Sequence, residues 1–160
     1  YAGLKILKKN INTNKILKKY FEKRYFLPNL HLKLVDKLFL FANTSIDISD
    51  GLISDLEKLI NKQKLSYRLF FDEIPVSKNL KKLIQIKKLK KINFLSKGDD
   101  YQILFTANPS KLRIIYQTAK SLGIKISKIG KITSHKHKSQ IIDQKGNKIA
   151  LKDKGYYHRF

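Results

Sequence analysis

Apolar positions recur at two different periods along this chain. Over residues 1–43 the spacing is helical. Leu4, Ile6 and Leu7 begin a stripe that Ile16, Leu17, Tyr20 and Phe21 continue. Pro28-Asn29 interrupts it, and Leu32, Leu34, Val35, Leu38 and Phe39 predict a second run. Residues 44–48 are short and β-branched and read as a strand. Residues 51–63 form the plainest helix, with Leu52, Ile53, Leu56, Leu59 and Ile60 on one face. Ser49 and Asp50 stand just ahead of it, where side-chain oxygens cap backbone N–H groups. Residues 67–71 read as a strand ending at Asp72-Glu73-Ile74-Pro75, and the Lys-rich stretch 78–91 as a helix.

Beyond a turn at Gly98, residues 101–106 predict a strand in which Ile103 and Phe105 alternate against Gln102 and Leu104. Pro109-Ser110 opens a helix over 111–122, which Gly123 closes. Residues 124–133 read as a strand interrupted at Gly130. Residues 140–143 and 148–151 predict a hairpin across Lys145-Gly146-Asn147. Strands alternating with helices place the chain in the α/β (α+β) class, as a layered sheet with flanking helices in one domain. No internal repeat is present.

Composition changes this picture in a few respects. An apolar fraction of 42% and an aromatic fraction of 11% over 160 residues supply a core and exclude wholesale disorder. No apolar run approaches the roughly 20 residues that span a bilayer, and Tyr1-Ala2-Gly3-Leu4-Lys5 does not read as the start of a signal peptide. The absence of cysteine excludes disulfides, thiolate metal sites and cysteine nucleophiles. Methionine is absent too, even at position 1, which predicts a piece of something longer. The formal charge of +23 has two readings. One is a basic nucleic-acid-binding module or a binder of anionic membranes. The other is coding bias, since Lys, Ile and Asn are abundant together, as A/T-rich codons produce. The second is favoured. Arg occurs only at 24, 68, 113 and 159, and specific readers of nucleic acid rely on the bidentate Arg fork.

Acidic residues number 12, and eight of them fall in groups: Asp47, Asp50, Asp55 and Glu57, then Asp72 and Glu73, then Asp99 and Asp100. Asp47-Ile48-Ser49-Asp50-Gly51 leaves a strand and enters a helix. Alternation sets Asp47 and Ser49 on one side of the strand end, with Asp50 at the turn. Two carboxylates so close repel unless a cation lies between them, and oxygen ligands at a strand end suit Mg²⁺. The helix N-terminus behind them offers N–H groups and the positive dipole end to a phosphate, and Gly51 permits close approach. The same residues also read as an ordinary N-cap. Lys97-Gly98-Asp99-Asp100-Tyr101 is either a plain turn or a carboxylate at a strand mouth facing a cationic ligand or a metal. The segment 154–160, with Tyr156 and Tyr157, either packs over the core or offers a ring that stacks on a flat heterocycle. His135-Lys136-His137-Lys138 reads as a solvated loop, because two His at i, i+2 without a carboxylate make a poor metal site.

Several of these blocks resemble one family. Asp47–Leu52 followed by Ser54-Asp55-Leu56 is similar to the "DISDGL-x-x-DL" segment of thiamine-monophosphate kinases. Phe71-Asp72-Glu73-Ile74-Pro75-Val76-Ser77 resembles their "acidic–small–Leu-Pro-x-Ser" segment. The run from Ser96 through Lys97-Gly98-Asp99-Asp100-Tyr101 to Thr106 resembles "SGGEDYELLFT". Ile129-Gly130-Lys131-Ile132-Thr133 resembles "IGRIT", and Lys154-Gly155-Tyr156-Tyr157-His158 resembles the closing "KGYDHF". The first block is shared with the wider superfamily of aminoimidazole ribonucleotide synthetases and selenophosphate synthetases; the third and last point to the thiamine-phosphate branch. Here Asp99 stands for a Glu, Lys97 for a Gly and Tyr157 for an Asp, and Arg159 is inserted before the final Phe.

The resemblance implies the C-terminal half of a two-domain kinase. Residues 1–43 would be a helical segment linking to a missing N-terminal ATP-binding half, and 44–160 the C-terminal synthetase-like domain. It implies Asp47 and Asp50 as magnesium ligands, Ser49 against the ATP phosphates, and Asp99 and Tyr156 against the substrate. The implied reaction moves the γ-phosphoryl group of ATP onto thiamine monophosphate, giving thiamine diphosphate. The implied setting is cytoplasmic, the complete enzyme a homodimer, with no specific nucleic acid and no membrane as partner and the fragment alone inactive. The alternatives are another ATP-dependent substrate on the same superfamily fold and the basic nucleic-acid module.

Overall fold

The computed structural model describes residues 1–61, 63–98 and 100–151. Its N-terminal helices are short and join by close backbone approach. Helix α1 (Ala2–Leu7) lies on α2 (Lys15–Phe26) through Ala2, Ile6, Leu17 and Phe21. Gly3 makes this possible: a Cβ there would sit 2.5 Å from the carbonyl oxygen of Phe21. Asn14 caps α2 by accepting the N–H of Leu17 at 3.0 Å. The expected second run becomes only one helical turn, α3 (Leu32–Val35), and a 3₁₀ turn at Leu38–Leu40. Leu34 of that run is buried. Leu32, Val35 and Phe39 face solvent, Phe39 at 79% exposure, while Leu34 and Leu38 pack with Phe41 and Ile115, so only part of the run is covered.

Strand β1 (Ala42–Asp47) starts two residues earlier than the β-branched run indicated. Helix α4 (Leu52–Asn61) then buries Leu52, Ile53, Leu56 and Ile60, the face that periodicity specified. Strand β2 (Leu65–Phe70) runs into a 3₁₀ turn at Phe71–Glu73. Helix α5 (Lys78–Ile86) is capped by Ser77, whose Oγ accepts the Leu80 N–H at 3.1 Å. It stops five residues short of the expected end, where Lys88 takes a left-handed φ of 50°, and the chain re-enters helix at α6 (Ile92–Leu95). Strand β3 (Ile103–Ala107), α7 (Leu112–Ser121), β4 (Gly130–Ser134) and β5 (Gln140–Ile142) complete the order. Pro109 starts a 3₁₀ turn ahead of α7, and Gly123 follows it at φ 61°.

The strands divide between two sheets instead of forming one layer. β1 pairs antiparallel with β3, Asp47 opposite Ile103. β2 sits centrally in the other sheet, antiparallel to β4 and parallel to β5. Helix α4 contacts both β1 and β2, so its apolar face, Tyr67, Leu69, Leu104 and Ile141 form the main core. β3 is covered on both faces. Leu104, expected to alternate outward, joins this core, while Ile103 and Phe105 pack with Phe41, Leu34 and Ile115 of α7. The expected strand 124–133 is halved. Ile124 and Ile126 pack beside α7, and ladder pairing begins only at Gly130, opposite Leu69. Gly130 is not an interruption. It opens the strand, because any Cβ there would lie 2.4 Å from the Arg68 carbonyl oxygen. The expected hairpin forms as a tight turn at 143–147, with Asp143 and Asn147 bonded and a single bridge from Ile142 to Lys148.

Candidate functional site

β1 delivers Asp47 to the end of the smaller sheet, where its side chain is exposed. Pairing continues one residue further, as Ile48 donates to Gln102 and accepts from Tyr101, both at 2.9 Å. The chain then leaves the sheet, so strand alternation ends before Ser49, which is half-buried in the turn. Gly51 takes φ 117°, a region that L side chains avoid, and its carbonyl accepts the Asp55 N–H to start α4.

The turn is organised by a carboxylate to which sequence reasoning gave no role. Asp55 lies one turn into α4 with no exposure to solvent. Its Oδ2 accepts the N–H groups of Ser49 and Asp50 at 2.9 Å and of Gly51 at 3.2 Å. Its Oδ1 accepts Lys58 Nζ at 2.9 Å. Three consecutive N–H groups therefore point inward to Asp55. The start of α4 is thus held by a side chain from within the helix and not, as expected, by a Ser49 or Asp50 side chain capping it. No spacing rule announces it: a capping-box acid reaches back three residues, from N3 to the N-cap, whereas Asp55 stands four after Gly51.

Lys58 also donates to Asp50 Oδ2, so one ammonium spans two carboxylates. These two hydrogen bonds raise the Lys58 pKa above its ordinary value, that to Asp50 most strongly. Among the described residues no three His, Cys, Asp or Glu side chains gather into a metal centre. What the chain offers at the turn is Asp47, exposed, and Asp50, whose side chain is 18% exposed. Two carboxylates are the hard-oxygen donors that magnesium takes while keeping water and phosphate as its other ligands. The donor chemistry fits that ion, with Lys58 on one of the Asp50 oxygens.

The second acidic turn is locked onto the first. A Cβ on Gly98 would fall 1.7 Å from the Ser49 carbonyl oxygen and 3.0 Å from Asp50 Cα. A Cβ on Gly51 would fall 2.8 Å from the Ser96 carbonyl carbon. Each motif thus supplies the glycine that admits the other's backbone. Lys97, which replaces a small residue of the resembled motif, extends its ammonium over the Tyr1 ring at 5.8 Å from the centroid. Asp99 and Tyr156 lie outside the described residues. The Asp72-Glu73 group stands apart from this seam: Asp72 accepts the Gln144 N–H at 3.0 Å beside an open cleft of about 270 Å³ between residues 70–73 and 142–146. Lys91 donates to the Phe71 carbonyl at 2.6 Å, and burial lowers its pKa, against the pull of Asp72. His135 and His137 are exposed in a turn, as the sequence indicated.

No family model matches the chain. Comparison with curated proteins finds the thiamine-monophosphate kinase of Buchnera aphidicola subsp. Acyrthosiphon pisum, 33% identical over 98% of this chain and 48% of its own length. The chain spans about half the length of the curated relatives it matches. Among solved structures, AaThiL complexed with AMPPCP and TMP aligns with a TM-score of 0.75 at 22% identity, over 98% of this chain and 47% of that one. HypE of E. coli, a hydrogenase maturation protein, aligns with a TM-score of 0.59 at 11% identity, over 96% of this chain and 46% of that one. These likenesses place the fold in the aminoimidazole ribonucleotide synthetase-like class.

Proposed function

Since the chain belongs to the thiamine-monophosphate kinase family and corresponds to its C-terminal half, we propose that it serves ATP-dependent phosphorylation of thiamine monophosphate to thiamine diphosphate. The observation that carries this reading is the seam in which Gly51 and Gly98 lock the two acidic turns together. It supports a single site built from both motifs, one for the metal-bound nucleotide and one for the acceptor.

In this reading Asp47 and Asp50 hold Mg²⁺, and Ser49 meets the ATP phosphates. Bound magnesium would screen the charge of two polyanionic reactants and neutralise charge as it develops. The chain's own contribution is positional. Asp55, by gathering the N–H groups of residues 49–51, fixes the direction in which Asp50 leaves the turn. Asp99 and the Tyr156 ring are assigned to the substrate, whose thiazolium is cationic and whose pyrimidine is flat. The bond between the γ-phosphorus and the bridging oxygen breaks, leaving ADP. A phosphate oxygen of thiamine monophosphate takes its place. That acceptor is largely ionised near neutral pH, so no strong base is required.

Residues 1–43 are assigned to linking this domain, 44–160, to an ATP-binding half. The exposure of Phe26, Leu27, Leu32 and Phe39 supports that assignment, since large apolar side chains left open to water favour a covering partner. A homodimer of the complete enzyme and a cytoplasmic setting belong to the same proposal; no helix among the described residues is long and apolar enough to cross a membrane. The test is to incubate the longest natural reading frame containing this segment with thiamine monophosphate, ATP and Mg²⁺ and to assay thiamine diphosphate. Product that disappears in Asp50→Asn supports the reading. Magnesium-dependent turnover that survives Asp50→Asn removes the metal assignment. These 160 residues alone are expected to form no product.

A further inference from the structure

The ammonium that joins Asp50 to Asp55 has no part in the reaction just described, yet it occupies an oxygen that the reading gives to a metal. Its placement is not set by Asp50. Lys58 follows Asp55 by three residues on α4, so the two share a helix face. Asp55 is anchored by three backbone N–H groups and is wholly buried. Lys58 is therefore tethered from the helix side, with its own side chain 46% exposed. Asp50, on the turn, is the partner free to exchange. A divalent cation approaching Asp50 meets a positive charge already bound to it, and both cannot use the same lone pairs.

We infer that Lys58 is a built-in competitor for the divalent cation at Asp50. It neutralises the turn when no metal is present and gives up Asp50, while keeping Asp55, when the metal arrives. The inference rests on the assignment of Asp50 as a metal ligand. One positive charge replaces another at Asp50, and the turn keeps its shape through the exchange because Asp55 holds its three N–H groups throughout. Lys58 acts here on the metal through Asp50, as a positioning residue.

The test titrates Mn²⁺ alone, without nucleotide, into the full chain and follows free metal by electron paramagnetic resonance. Lys58→Gln keeps a donor for Asp55 and removes the competing charge. Its Mn²⁺ affinity should rise about tenfold over wild type, the scale on which one neighbouring charge in a half-exposed site acts. Lys58→Arg, with the charge kept, should stay within about threefold of wild type by the same reasoning. A second readout needs no turnover. Metal-free Lys58→Gln should melt below wild type, and Mn²⁺ should raise its Tm by more than it raises that of wild type. A Lys58→Gln affinity no tighter than wild type overturns the inference. If Asp50→Asn abolishes Mn²⁺ binding in that same series, the metal assignment stands and only the competition fails; if Asp50→Asn binds as wild type does, the assignment itself is wrong. Should Lys58→Gln not fold, the Lys58 Nζ resonance of the wild-type chain is followed through a Mg²⁺ titration. A shift that saturates supports the exchange, and an unmoved resonance overturns it.

Discussion

Gly98→Ala tests the seam between the two acidic turns. The added methyl carbon would start 1.7 Å from the Ser49 carbonyl oxygen, 2.6 Å from its carbonyl carbon and 3.0 Å from Asp50 Cα. All three are backbone atoms, so no rotamer change relieves the clash. The turn must separate from residue 98 by more than an ångström, and Ser49 and Asp50 must move with it. Overpacking of a well-fitted interior costs about 1–3 kcal/mol, and a purely backbone obstacle belongs at the upper end, about 3 kcal/mol. For a chain of this size that corresponds to a fall in Tm of roughly 6–12 °C. The comparison variant is Gly123→Ala, where nothing lies within 4 Å but φ is 61°. It should lose only the left-handed strain, about 1–2 kcal/mol. Thermal and urea unfolding of both variants give the contrast, and Mn²⁺ binding to Gly98→Ala reports whether Asp50 has moved. If Gly98→Ala melts as wild type does and binds the metal unchanged, the two turns are not locked by this glycine and the single-site argument loses its support.

Three further predictions probe other parts of the molecule. Asp55→Ala strips the partner from three N–H groups in the turn and should cost about 3 kcal/mol in urea unfolding, given about 1–3 kcal/mol for each buried polar group left unpaired and partial rescue by water; a loss under about 1 kcal/mol would deny Asp55 its organising role. Leu83→Ala removes a side chain with no solvent exposure from the cluster joining α5 to α1 and α2. It should cost about 2–5 kcal/mol and hasten amide exchange in α2, and unchanged exchange there would show that the N-terminal helices do not depend on α5. The pKa of Asp143 lies below its ordinary value, chiefly because the Asn147 side chain and N–H bond its carboxylate. Its folded pKa is depressed, so its contribution to the turn is complete above the ordinary carboxylate value and is lost as pH falls through the lower folded value. The Asn147 amide resonances should shift in that acid window; a midpoint at or above the ordinary carboxylate value would contradict the hydrogen bonding.

Much of the local structure was legible in the residues. Helix α4 was readable because one period of apolar positions ran through it and only one face could be buried. The Pro109 start and the turn at 143–147 follow from side chains that bond or constrain the backbone within a few residues. The candidate residues Asp47, Ser49 and Asp50 were legible as an acidic strand-to-helix turn, and the resemblance supplied their chemistry. Other features had no local signature. Leu104 looked outward by alternation and is core, because α4 and its sheet cover a face that the strand alone could not know was covered. The strand at 124–133 lost its first half because β2 ends at Phe70, whose N–H reaches no further back than the Ile129 carbonyl.

Asp55 shows where the division lies. Its type and spacing are compatible with an exposed helix acid, and nothing nearby in the chain says that it will be buried with three N–H groups and an ammonium around it. Gly51 and Gly98 likewise read as turn residues, and their role as mutual clearances exists only because distant segments meet there. Amphipathic helices and tight turns are settled by interactions spanning three or four residues, so the order of residues suffices to announce them. Which carboxylate is buried, which strand finds a partner and which glycine is irreplaceable depend on what stands opposite, and that is set when segments some fifty residues apart close against each other.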